Sequence, residues 1–149
     1  MPWTSAPDTH PYPSAVMVGM NGLDAAFGTD TLIRPGPPPN YNFAERLITV
    51  RRVGGGPDEE DLTDYPVLQI ACFAESYTLA AKMQREVEAV VLSWPLTMIN
   101  AAFDDETPWP VLVDEAEVYV GEQEIPDVYL DERRVVATYR LGLRRQYRP

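Results

Sequence analysis

Apolar positions along this chain recur in two periods, and the switch between them marks out the elements. After Ser14, a residue suited to capping a helix, Val16, Met20, Leu23 and Phe27 follow at helical spacing, and Gly28 can end the segment. Gly19 and Gly22 each weaken such a helix by about 1 kcal/mol against alanine, so it depends on tertiary packing. The stretch TLIRPGPPPN predicts one short strand and then a proline-stiffened connection. Residues 46–53 and 65–74 read as strands; in the second, Leu68, Ile70, Cys72 and Ala74 alternate onto one face. Between these strands, three glycines and PDEEDLTD predict a long hairpin tip held in solvent by its acids. Ser76 caps the next helix. Leu79, Met83, Val87, Val90, Val91 and Trp94 form its apolar stripe, Lys82, Arg85, Glu86 and Glu88 lie off it, and Pro95 stops it.

Residues 95–110 predict a loop or a short helical turn. Residues 111–120 predict a strand with Leu112, Ala116, Val118 and Val120 on one side, and 121–132 an acidic connection. Residues 133–145 predict the last strand, with Val135, Ala137, Tyr139, Leu141 and Leu143 facing one way and Thr138, Arg140 and Arg144 the other. The order helix, strands, helix, strands predicts an α+β fold: a mostly antiparallel sheet with two main helices on one face. At 149 residues the chain has room for one domain with a real core. We take residues 14–149 as that domain. Residues 1–13, with four prolines, are an N-terminal arm that is either loose or laid on a neighbour.

Charge adds a second pattern. Residues 1–132 hold all 23 acids against six basic residues, formally −17, whereas residues 133–149 hold six arginines and no acid, formally +6. An acidic body repels free nucleic acid, and arginines set within a strand pattern suit an acidic protein surface better than a loose nucleic-acid arm. No apolar run reaches the roughly 20 residues that span a bilayer. The N-terminus lacks the basic and apolar regions of a signal peptide, so none is expected. The single cysteine, Cys72, reads as a buried thiol.

Chemistry is harder to find. Gly54, Gly55 and Gly56 lack the following lysine and hydroxyl of a phosphate loop; Pro57 and four acids come next and would repel a phosphate. They read as turn residues that permit positive φ. One histidine, His10, and one cysteine do not make a zinc set, and the acidic runs lack the ligand spacing and internal glycine of a calcium loop. His10 lies in the proline-rich arm, a poor place for a positioned base. Paired carboxylates are plentiful, but nothing marks one pair out. No catalytic, cofactor-binding or metal residue is therefore assigned.

The layout resembles the tail terminator proteins of long-tailed bacteriophages, particularly those of actinobacterial phages. The segments that carry the likeness are LITVRRVGGG, the acidic spacer, TDYPVLQIACFAESYTLAAKMQREVEAVV and the closing RRVVATYRLGLRR, spanning roughly residues 14–145. The proline-rich arm and residues 95–110 depart from the pattern and leave the local contacts there open. The resemblance implies a structural protein, not an enzyme, without cofactors. It implies a homohexameric ring that caps the tail tube, stops further addition of tube protein and joins the tail to the head–neck connector. Genomic DNA would pass through the lumen without specific recognition. Such a protein is assembled in the host cytoplasm and resides in the virion at the tail–neck junction, away from membranes.

On that reading, Arg133, Arg134, Arg140, Arg144, Arg145 and Arg148 are candidates for subunit or partner contacts, the alternative being solvated charge on the outer face. Gly54, Gly55, Gly56, Asp58, Glu59, Glu60 and Asp61 form a candidate docking loop toward tube or neck, the alternative being a free loop. Candidate lumen acids are these same acids together with Asp104, Asp105 and Glu106. Rival readings are a neck, head-completion or minor tail protein of the same virion, and a small acidic hydrolase or ligand-binding domain.

Overall fold

The computed structural model describes residues 12–42, 45–60, 62–104, 106–125 and 134–146. These form two helices and seven strands: α1 (Ala15–Phe27), β1 (Leu32–Arg34), β2 (Leu47–Gly54), β3 (Thr63–Asp64), β4 (Val67–Phe73), α2 (Tyr77–Leu92), β5 (Met98–Asn100), β6 (Pro110–Ile125) and β7 (Arg134–Arg144). The sheet order is β1-β2-β4-β7-β6-β5, with β3 paired to the end of β7. All pairings are antiparallel except β1 with β2, so the sheet is mixed at one edge. Both helices pack on one face and share a core with it, in the α+β arrangement the periodicity predicts.

Both helix starts follow from their caps. Ser14 accepts a hydrogen bond from the Met17 N–H and Ser76 one from the Leu79 N–H, each satisfying a donor that a helix start leaves open. The buried side of α1 is not the one its large residues suggest. Ala15, Val18, Gly19, Gly22 and Leu23 face the core, while Val16, Met20 and Phe27 flank it half-buried. The reason is close approach. A Cβ on Gly22 would lie 2.6 Å from Trp94 Cζ2, and one on Gly19 would lie 3.0 Å from Val50 Cγ1. The glycines that weaken the isolated helix let it settle onto β2, β4 and the Trp94 ring.

In α2, Met83, Val87, Val91 and, just beyond its end, Trp94 are buried as expected. Gln84 joins them at 1% exposure. Its Nε2 donates to Ile70 O (2.8 Å) and Val135 O (3.0 Å), and its Oε1 accepts from the Tyr139 hydroxyl (2.9 Å). This polar pin fixes the helix over β4 and β7. Burial pushes the Tyr139 phenol and the Cys72 thiol well above their ordinary pKa values, so both stay neutral in the folded chain.

Three expectations change. Residues 95–110 are not only a loop: β5 pairs with β6, Met98 opposite Leu112. Leu112 and Val120 do not share a side with Ala116 and Val118. The β6 register shifts between Val113 and Glu115 and again between Val118 and Val120, and each extra residue turns the following side chains over. Val111 and Val113 therefore fill the core, Ala116 and Val118 pack against it, and Val120 is exposed. Finally, β6 runs on through Ile125 into the stretch expected to be an acidic connection.

The opposite face of the sheet carries a smaller apolar cluster of Leu47, Ala71, Phe73 and Val136, with Leu32 and Tyr41 packed against it. Tyr41 meets Phe73 edge to face, with ring centroids 6.4 Å apart. This cover explains why Leu47, Ile48, Thr49 and Val50 are all buried, without the alternation of a half-solvated strand.

Candidate functional site

The glycine-acid segment between β2 and β4 is the most distinctive local structure. It leaves β2 through a register shift between Arg52 and Gly54. Gly55 has φ +83°, and a Cβ there would fall 1.9 Å from Tyr65 O, so this turn requires glycine. Gly54 and Gly56 face open space. The Asp58 N–H donates to Thr63 O (2.8 Å), and its Oδ1 accepts from the Leu62 N–H (2.8 Å) and Thr63 N–H (3.3 Å). The Tyr65 N–H closes the base by donating to Gly56 O (3.0 Å).

The segment is anchored, not a tip free in solvent. Its β3 portion lies beside β7, Thr63 opposite Arg144 and Asp64 opposite Leu143, and the Arg145 N–H donates to Leu62 O (2.9 Å). Asp64 is 3% exposed. Arg52 meets it with both terminal nitrogens, Nη1 to Oδ2 and Nη2 to Oδ1, each at 3.0 Å. The same guanidinium donates to the carbonyls of Gly54 (3.3 Å) and Gly55 (3.2 Å). This two-pronged geometry matches a guanidinium to a carboxylate with direction as well as charge. Glu59 and Glu60 remain exposed at the turn; Asp61 lies outside the described residues.

The arginines of β7 are partly engaged within the chain. Arg140 pairs with Glu117 (3.1 Å) and stacks over the Tyr65 ring, 4.5 Å from its centroid. Arg144 pairs with Asp114 (2.8 Å), the residue extruded by the first β6 bulge. Arg145 lies over the Tyr12 ring at 5.8 Å. Part of the contrast between basic end and acidic body is thus satisfied across β6 and β7 within one chain. Arg134 stands apart, walling a cleft on the outer face of the sheet. Arg133 and Arg148 lie outside the described residues.

Of the other acids, Asp104 is exposed, and the Glu106 carboxylate accepts the Phe103 N–H (3.2 Å). They sit in a connection shaped by Asn100, whose Oδ1 accepts from the Ala102 and Trp109 N–H groups. Asp105 lies outside the described residues. Asp58, Glu59 and Glu60 ride on the anchored loop, and Asp104 and Glu106 follow β5. Sequence reasoning missed the Arg52–Asp64 clamp. Asp64 looked like one more solvated acid, and no spacing rule links it to a residue 12 positions earlier.

Residues 29–148 match the family model described as phage tail termination protein. The chain belongs to this family. The match takes in all seven strands, α2 and the anchored loop. The tail terminator family is one of structural proteins, not of enzymes, and its members are components of the virion. No curated protein matches the chain. No helix among the described residues is long and apolar enough to cross a membrane.

Proposed function

We propose that this chain terminates the tail as a homohexameric ring. The ring caps the tube, blocks addition of further tube protein and offers its other face to the head–neck connector at the tail–neck junction. The observation that carries this reading is the family match over residues 29–148, which covers the whole sheet and its loop. Charge supports the ring and its lumen: six copies at −11 each carry −66 formally, and a negative wall keeps DNA from sticking as it passes. The arginines left over on and after β7 and the exposed turn of residues 54–64 are its assembly contacts. One lysine against eleven arginines fits a GC-rich host, in line with the resemblance to actinobacterial phage proteins.

The test is genetic and visual. Deleting the gene should give tails of uncontrolled length. Tails of normal length left unattached to heads would instead mark a neck protein and overturn the reading. Negative-stain images of the chain on tube ends should show rings whose hole matches a DNA duplex.

A further inference from the structure

The outer face of the sheet holds a cleft of about 330 Å³, floored by β2, β4 and β7 and walled by residues 35–37 of the proline turn. Its polar lining is Thr49, Arg51, Gln69 and Arg134, set beside Phe73 and Val136. Among the described residues, no carboxylate lines it. Neither Arg51 nor Arg134 has an ion-pair partner among the described residues. Among the described residues, the Nε of Arg134 is buried without a hydrogen-bond partner, and so is Thr138 Oγ1 four residues further along the same face. Orphaned donors of this kind are rare in folded chains, and a buried guanidinium N–H calls for an acceptor from outside.

We propose that this cleft receives the acidic turn of a second copy of the chain, with Arg51 and Arg134 binding the carboxylates of Glu59 and Glu60. The proposal rests on the ring reading above and reassigns the turn from tube or connector to the neighbouring subunit. The turn is suited to the role. Its base is fixed by Asp58 and by the Arg52–Asp64 clamp, so presenting the two exposed glutamates costs little ordering entropy on binding. A chain cannot fill its own cleft this way. The loop pairs with β7 at Leu143, whereas the cleft reaches β7 at Val136, seven residues or about 23 Å along the strand. Arg51, the cleft residue nearest the turn, is level with Thr138, still five residues or about 16 Å from Leu143. Such a head-to-tail contact closes into a ring when the rotation between copies divides the circle.

The experiment uses two full-length variants, Arg51→Glu and the pair Glu59→Arg with Glu60→Arg. All three positions are exposed, so the core is untouched; melting curves matching the native chain verify folding. Each variant alone should need about 100-fold more protein to form rings, in sedimentation with and without tube protein, because the cleft of Arg51→Glu loses its net positive charge and the reversed turn of the other variant repels the native cleft. Mixed one to one, half of the contacts in an alternating ring are native and the other half exchange the charges at position 51 and at positions 59 and 60, so assembly should return in part. Native-like assembly of either variant alone, or no recovery on mixing, overturns the proposal while leaving the ring reading intact. Loss of duplex DNA binding by Arg51→Glu with assembly unchanged would assign the cleft to phosphates instead. If the native chain forms no ring, alone or on tube ends, the ring reading itself fails and the contact with it.

Discussion

Asp64→Asn removes one charge and keeps nearly the same shape, which isolates what the clamp on the anchored loop contributes. The carboxylate is 4% exposed and Arg52 36%, so one partner is buried and the other reaches water. Two charge-assisted bonds at 3.0 Å would each count for about 1.5–3 kcal/mol if fully buried, but solvent at Arg52 screens them, and about 2 kcal/mol is expected for the pair. The loss should fall on local opening first. Hydrogen exchange at the Asp58, Tyr65 and Arg145 amides, whose bonds close the loop, should speed up about 30-fold for 2 kcal/mol. Exchange in the middle of β4 should change far less. Arg52→Lys should give an intermediate effect, since an ammonium cannot engage both carboxylate oxygens in the same plane. Rates within threefold of native would show that the backbone bonds alone hold the loop. Equal acceleration in β4 would show that the clamp belongs to the global core.

Gly22→Ala gains about 1 kcal/mol of helix propensity but drives a methyl to 2.6 Å from the Trp94 ring, an overpacking that costs about 1–3 kcal/mol; thermal melting should fall by a few degrees, and a rise would refute the close approach. Gly36→Ala, which meets nothing within 4 Å, serves as the neutral control. Gln84→Leu strands the Tyr139 hydroxyl and two strand carbonyls, so chemical denaturation should show a loss of about 2–4 kcal/mol, of which Tyr139→Phe in the same chain recovers part. Stability should hold up to the ordinary thiol value of 9.0 and decline above it. Cys72 ionises in the unfolded chain while its folded thiol, raised by burial, stays protonated, which removes up to about 1.4 kcal/mol per pH unit. Denaturation midpoints flat from pH 8 to 10.5 would refute this, as would rapid labelling of the folded thiol.

The sequence was most legible where elements are regular. β4 and β7 alternate cleanly, so Leu68, Ile70, Cys72, Val135, Ala137, Tyr139, Leu141 and Leu143 could be assigned to the core from period two alone. The α2 stripe was equally plain, but Gln84 was not, because a polar residue beside a stripe usually faces water; its partners lie 14, 51 and 55 residues away. Bulges defeated the reading of β6, since one inserted residue reverses every later assignment. In α1, residue size was misleading: the glycines, not the largest side chains, mark the contact face. The turn between β2 and β4 was legible from its glycines and acids, yet its anchoring was hidden. Arg52, Asp64 and the end of β7 meet only once the sheet is assembled. Family membership was legible as phrasing across several segments, whereas the arginine-lined cleft arises from three strands and a distant turn.

β7 is the last strand among the described residues and sits between β4 and β6 in the sheet. Until it emerges from the ribosome, both of those strands keep a bare edge, the Gln84 pin lacks Val135 and Tyr139, and β3 has no strand to lie against. The fold therefore closes only once β7 has been made. Loss of a few codons within β7 should be more damaging than a larger deletion in the proline-rich arm, and a nascent chain has no finished surface to offer a growing tail before β7 is in place.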